Sequence, residues 1–81
     1  MKHIEFTDKE VKAFHGKIIE NIKRIRKDKG ITQLELALTI GHKSMSTIGK
    51  IEADVEDKHY NIEHLYKIAK VLDVDVCEFF G

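Results

Sequence analysis

Ile31-Thr32-Gln33-Leu34-Glu35-Leu36-Ala37-Leu38-Thr39-Ile40-Gly41-His42-Lys43-Ser44-Met45-Ser46-Thr47-Ile48-Gly49-Lys50-Ile51-Glu52 is the stretch on which the fold turns. Thr32 to Glu35 has the T-x-x-E form of a capping box, in which threonine and glutamate satisfy each other's free backbone N–H groups, so a helix starts there. Leu36, Ala37 and Ile40 form the buried face of this short helix. Gly41 closes it, because glycine enters left-handed or crowded backbone without a Cβ clash. Ser44 is placed to cap a second helix, whose inner face is Ile48 and Ile51. The opposite face, with Met45, Ser46, Gly49 and Lys50, is left open.

The flanks extend the helical pattern in both directions. Thr7-Asp8-Lys9-Glu10 is another capping box. Val11, Phe14, Ile18, Ile22 and Ile25 follow in steps of three, four, four and three, which keeps one face buried. Gly16 weakens this run by ~1 kcal/mol relative to alanine, so it reads as one helix to about Asp28 or as two pieces hinged near Gly16. Lys23, Arg24, Arg26, Lys27 and Lys29 crowd the C-terminal end, where they complement the helix dipole, and Gly30 is the closing glycine. Before it, Ile4 and Phe6 alternate as in a short pairing strand or a frayed tail. After Glu52, the segment from Ala53 to Tyr60 is polar and acidic and reads as a loop. Asn61 caps a further helix with Leu65, Ile68, Ala69 and Leu72 at helical spacing. Asp75-Val76-Cys77-Glu78 repeats the cap pattern and opens a last short turn through Phe79 and Phe80, counted as the fifth helix. The expectation is all-α with five helices, as residues 1–15 (tail and start of the first helix) and a domain over residues 16–81.

Composition narrows the function classes. With 42% apolar and 35% charged residues, no proline and 5 glycines, the 81-residue chain is a folded helical domain rather than a disordered one. Cys77 is the only cysteine, which forbids an internal disulfide and suits a reducing cytoplasm. It reads as a small buried hydrophobe. No apolar run is long enough for a membrane span, and the N-terminus lacks a signal-peptide core. Five histidines, in the absence of HxxxH or CxxC spacing, point to no metal and read as surface groups. No nucleophile elbow, phosphate loop or metal signature marks an enzyme, and no cofactor or small-molecule ligand is indicated. Net charge is zero but asymmetric. Residues 1–30 carry 9 basic and 5 acidic groups, residues 31–50 carry 2 and 1, and residues 51–81 carry 3 and 8. The basic end is available to phosphates while the acidic end faces away.

Taken together, the run Ile31 to Ala37, Gly41, Ser44 to Ile48 and Ile51-Glu52 resembles the Cro/CI-type (Xre) helix-turn-helix family of phage repressors. Ile22 to Arg26 resembles that family's first helix, and Leu65 to Val74 its fourth. Two short helices meeting steeply across a tight turn need a small residue at the crossing, and Ala37 supplies it. The resemblance implies a transcriptional regulator, in the manner of a repressor, that pairs with double-stranded DNA as a homodimer. It implies that Thr32 and Gln33 meet phosphates at a helix N-terminus. Ser44, Met45 and Ser46 would face the major groove, and Lys50 would reach a guanine edge or a phosphate. Lys43, Thr47 and Asn61 would touch the backbone. Arg24 and Glu52 would form an ion pair tying the first helix to the third. Phe79 should pack inward, while Phe80, Val11 and Phe14 are candidate dimer contacts.

Two features depart from the family pattern. Gly41 to Glu52 spans eleven steps where ten is usual, so His42-Lys43 lengthens the turn by one residue. The loop from Ala53 to Asp57 holds three carboxylates and no proline, and the reading face lacks Arg, Asn and Gln. These favour a competing reading, a protein-interaction module on the same fold, such as an antitoxin or a scaffold.

Overall fold

The computed structural model describes residues 4–42 and 44–81. Four α-helices follow one another, α1 (Asp8–Asp28), α2 (Gln33–Thr39), α3 (Ser46–Glu52) and α4 (Ile62–Leu72), and a 3₁₀ turn over Val76–Phe79 comes last. The all-α expectation holds, and five α-helices are corrected to four among the described residues. The fifth is a 3₁₀ turn, capped by Asp75, whose carboxylate accepts from Cys77 N–H at 2.9 Å. The bonds that follow, Glu78 N–H to the Asp75 carbonyl and Phe80 N–H to the Cys77 carbonyl, are of the i to i+3 kind. This three-residue period buries Phe79 and turns Cys77 outward, so the expectation of a buried thiol is also corrected.

α1 runs unbroken through Gly16. Its second half supplies Ile18, Ile19, Ile22 and Ile25 to the core, whereas Val11 and Phe14 stay 49% and 58% exposed. The apolar periodicity thus outruns the body it packs on. Ile22, Leu36, Ile48, Ile68 and Phe79 are fully enclosed, one or more from each element. Each such side chain contributes roughly 1.5–3 kcal/mol by leaving water. α1 packs on α3 and the 3₁₀ turn, and α2 on α3 and α4. Asn21 Nδ2 donates to the Phe79 carbonyl at 2.9 Å and fastens the turn to α1. Ile4 to Thr7 precede α1 without regular structure.

The four helices end alike, in paired backbone bonds around a left-handed residue. After α1 and α2 that residue is Gly30 (φ 70°) and Gly41 (φ 96°), where the turn direction favours glycine. After α3 and α4 it is Asp54 and Asp73, aspartate being one of the few other residues that tolerate this region. α4 begins with a reciprocal cap: the Asn61 side chain accepts from His64 N–H at 2.7 Å, and Asn61 N–H donates to His64 Nδ1 at 3.3 Å. Among the described residues, no helix is long and apolar enough to cross a membrane.

Candidate nucleic-acid interface

α3 has an inner and an outer face, and the inner one is fixed by charge as well as by packing. Ile48 and Ile51 lie in the core, and Glu52 beside them meets Arg26 of α1. Arg26 Nε and Nη2 donate to the two Glu52 oxygens, both at 2.8 Å, and Nη1 donates to the Ile31 carbonyl at 2.7 Å. Gln33 Nε2 adds a bond to Glu52 at 3.0 Å. Burial pushes the Glu52 carboxyl up, but the Arg26 and Gln33 hydrogen bonds and the Arg26 charge outweigh it and hold the group below its ordinary value. The ion pair expected at Arg24 is therefore at Arg26. Helical geometry explains the difference: Arg26 lies one turn beyond buried Ile22 on the same face, while Arg24 is exposed. The signal was in the spacing, since i to i+4 from an apolar position identifies the inward arginine.

In the turn between α2 and α3, His42 lies against α4. His42 N–H donates to the Ala37 carbonyl at 2.8 Å and Gly41 N–H to Leu38 at 3.2 Å. The His42 ring is half-buried, with its centroid 5.4 Å from that of His64 on α4. α3 then starts at Ser46, one residue later than a Ser44 cap requires, with Met45 in the cap position. Ser44 Oγ instead accepts a long bond from Ser46 N–H, 3.4 Å, and donates to Ser46 Oγ at 3.2 Å.

The outer face presents exposed Ser44, Met45, Ser46 and Lys50, with Thr47 half-buried at its edge. Lys43 lies outside the described residues. Thr32 is exposed at the start of α2, where its hydroxyl caps Glu35 N–H at 3.0 Å and donates to the Glu35 carboxylate at 3.2 Å. Gln33 is half-buried, and its amide is turned onto Glu52. Asn61 uses its side-chain oxygen for the α4 cap.

Two cations that were read only as dipole partners belong to this surface. Lys23 and Lys27, one turn apart on α1, line a hollow of about 270 Å³ with Arg26, Gln33, Gly49, Glu52 and Ala53. Neither lysine has an ion-pair partner among the described residues. Their i, i+4 spacing beside the inward arginine was the available signal. Gly49 forms part of the wall, and an added Cβ there would meet only Gln33 Oε1, at an ordinary 3.7 Å.

The loop after α3 carries the opposite charge. Glu56 lies 3.6 Å from Lys50 Nζ and 3.9 Å from Lys58 Nζ, and Asp57 pairs with Lys12 of α1 at 3.3 Å. The loop ends at buried Tyr60, whose phenol is pushed well above its ordinary pKa by burial and then by the Glu52 charge. Beside the loop, His15 and His59 stack with ring centroids 3.8 Å apart. Among the described residues, no group of three or more His, Cys, Asp or Glu is placed to hold a metal.

Known proteins share this fold. A family model described as helix-turn-helix matches residues 22–79. No curated protein matches the chain by sequence. Among solved structures, the restriction-modification controller protein C.AhdI from Aeromonas hydrophila superposes with a TM-score of 0.71 at 26% identity, over 84% of this chain and 98% of that one. The N-terminal DNA binding domain of SinR from Bacillus subtilis gives a TM-score of 0.67 at 34% identity, over 83% of this chain and 94% of that one. The chain therefore belongs to the helix-turn-helix family of Cro/CI-type (Xre) DNA-binding regulators.

Proposed function

We propose that this protein is a sequence-specific DNA-binding transcriptional regulator that lays α3 in the major groove and represses by occupying its operator. The observation that carries this reading is the pairing of faces around α3. Its outer face is open, and immediately beside it stand the unneutralised Lys23 and Lys27 of α1. In the proposed docking, Ser44, Met45, Ser46 and Lys50 face base edges, while Thr32, Gln33, Lys43, Thr47 and Asn61 contact the backbone together with the two lysines.

We also propose that it binds as a homodimer. Ile62, Tyr66, Val76 and Phe80, from 37% to 85% exposed, line an apolar groove of about 650 Å³ between α4 and the C-terminal turn. Phe14 extends this surface, its ring 6.2 Å from that of Phe80, and Val11 lies on the same exposed half of α1. A two-fold pair of subunits would place two α3 helices on two half-sites.

Selection of bound duplexes from a random pool, followed by titration of the winner over a range of salt, tests both parts. The expected outcome is a two-fold symmetric site, two chains per duplex, and affinity falling by ~0.9 log unit per log unit of salt for each phosphate contact. Enrichment of a single half-site would overturn the dimer. No duplex binding at low salt would overturn the regulator and favour an interaction module.

A further inference from the structure

Glu56 stands beside the face of α3 proposed above to meet DNA. Its carboxylate lies 3.6 Å from Nζ of Lys50, the only basic residue of α3, and also faces Lys58. The placement is built into the backbone. Asp54 N–H donates to the Ile51 carbonyl at 3.1 Å and Val55 N–H to the Lys50 carbonyl at 3.0 Å, folding the loop back over the last turn of α3. Asp54, Glu56 and Asp57 then take left-handed backbone, with φ of 57°, 60° and 52°. Aspartate visits that region readily, glutamate seldom. Downstream, Asp57 is tied to Lys12 of α1 and Tyr60 is buried in the core. Glu56 is thus held between two anchored points, with its carboxylate on the lysine that faces the groove.

We infer that Glu56 is a specificity-determining residue, a tethered counter-ion that Lys50 must exchange for DNA and that penalises arbitrary duplex more than the correct site. The inference rests on the DNA-binding reading above. Non-specific affinity arises when cations displace the counter-ions condensed on phosphates. A lysine already neutralised by its own chain adds little to that displacement, and once it leaves, an unpaired carboxylate faces the phosphates. At the correct site Lys50 gains a guanine edge, which offsets the exchange. The Lys50–Glu56 pair is about half exposed and more than 3.5 Å long, so it is weak enough to exchange.

Glu56→Gln keeps the shape and removes the charge. The full chain and this variant would be titrated with random-sequence duplex and with the duplex selected by the unaltered protein, over a range of salt. The variant should bind random duplex about two- to fivefold more tightly. Its slope of log affinity against log salt should steepen by about 0.9. The ratio of selected to random affinity should fall. The same change made on Lys50→Ala should give a clearly smaller gain, the part that comes only from relieving repulsion between the carboxylate and the phosphates, with no steepening of the salt slope from a freed Lys50. Salt-dependent binding by the unaltered chain, with equal affinity and slope for the variant, would overturn the role of Glu56 alone. A gain of the same size and the same change of slope without Lys50 would overturn the exchange. Failure of both chains to bind any duplex at low salt would overturn the DNA-binding reading itself, and the inference with it.

Discussion

The two faces of α3 each carry an ion pair, and the pairs behave as opposites. Glu52 on the inner face holds Arg26 through two bonds of 2.8 Å, with both side chains under 10% exposed. Lys50 on the outer face meets Glu56 at 3.6 Å, with both side chains about half in water. The chemistry is the same, a cation beside a carboxylate. Solvent makes the difference. A buried pair must satisfy its hydrogen bonds internally, which Gln33 and the Ile31 carbonyl complete, and losing one partner leaves a charge stranded. An exposed pair is replaced by water at little expense. One pair therefore locks α3 to α1, and the other stays exchangeable at the surface proposed to meet DNA.

The contrast is broken most severely from the inner side. Arg26→Ala should cost about 3–5 kcal/mol, a large part of the stability of so small a domain, because Glu52 is left buried and unpaired. Arg24→Ala, on exposed ground, should stay within about 0.5 kcal/mol. Urea unfolding of the two variants checks this, and equal losses would mean that the pair does not discriminate between the two arginines.

The outer side should show the reverse profile. Lys50→Ala should leave the urea midpoint nearly unchanged while costing about 1–3 kcal/mol of discrimination at one base pair of the selected site. Binding measured on site variants reports it. A uniform loss across all sequences would reassign Lys50 from base to phosphate.

A smaller effect sharpens the role of the lengthened turn, which leans on α4. Burial, then the His42 charge, depress the pKa of His64, and its neutral Nδ1 accepts the Asn61 N–H. A base depressed in the folded state stabilises most above its ordinary pKa, and that contribution is lost as the pH falls through the lower folded value. The thermal unfolding midpoint should thus fall on acidification below about pH 6.5. His64→Gln, which retains an acceptor at the third helical position, should flatten part of that slope. The remainder belongs to groups such as His15, also depressed by burial and by its partner His59. An unchanged slope in the variant would exclude His64 as a contributor.

Much of this was legible in the chain. The caps at Thr7, Thr32 and Asn61, the stops at Gly30 and Gly41, and the inward set Leu36, Ala37, Ile48, Ile51 and Phe79 lie where local spacing puts them. Helical periods and caps are short-range, so residues three or four apart reveal them. The misses have one origin. Arg24 and Arg26 are both basic and near the same helix end; the i to i+4 step from Ile22 marks Arg26 as inward, but the partner that makes it an ion pair, Glu52, arrives only twenty-six residues on. Ser44 resembles a cap in sequence, yet Met45 takes the cap position and α3 starts at Ser46.

What the sequence by itself determined is the alternation of helices and turns, because propensity, capping and glycine conformation act between neighbours. What only the tertiary structure decided is which charges are enclosed and which remain exchangeable. Arg26 meets Glu52 in the interior, Lys50 meets Glu56 in water, and Lys23 with Lys27 stands unpaired beside α3. Burial and the dielectric around a charge depend on elements distant in the chain, so the worth of each ion pair appears only once α1, α3 and the loop after it come together.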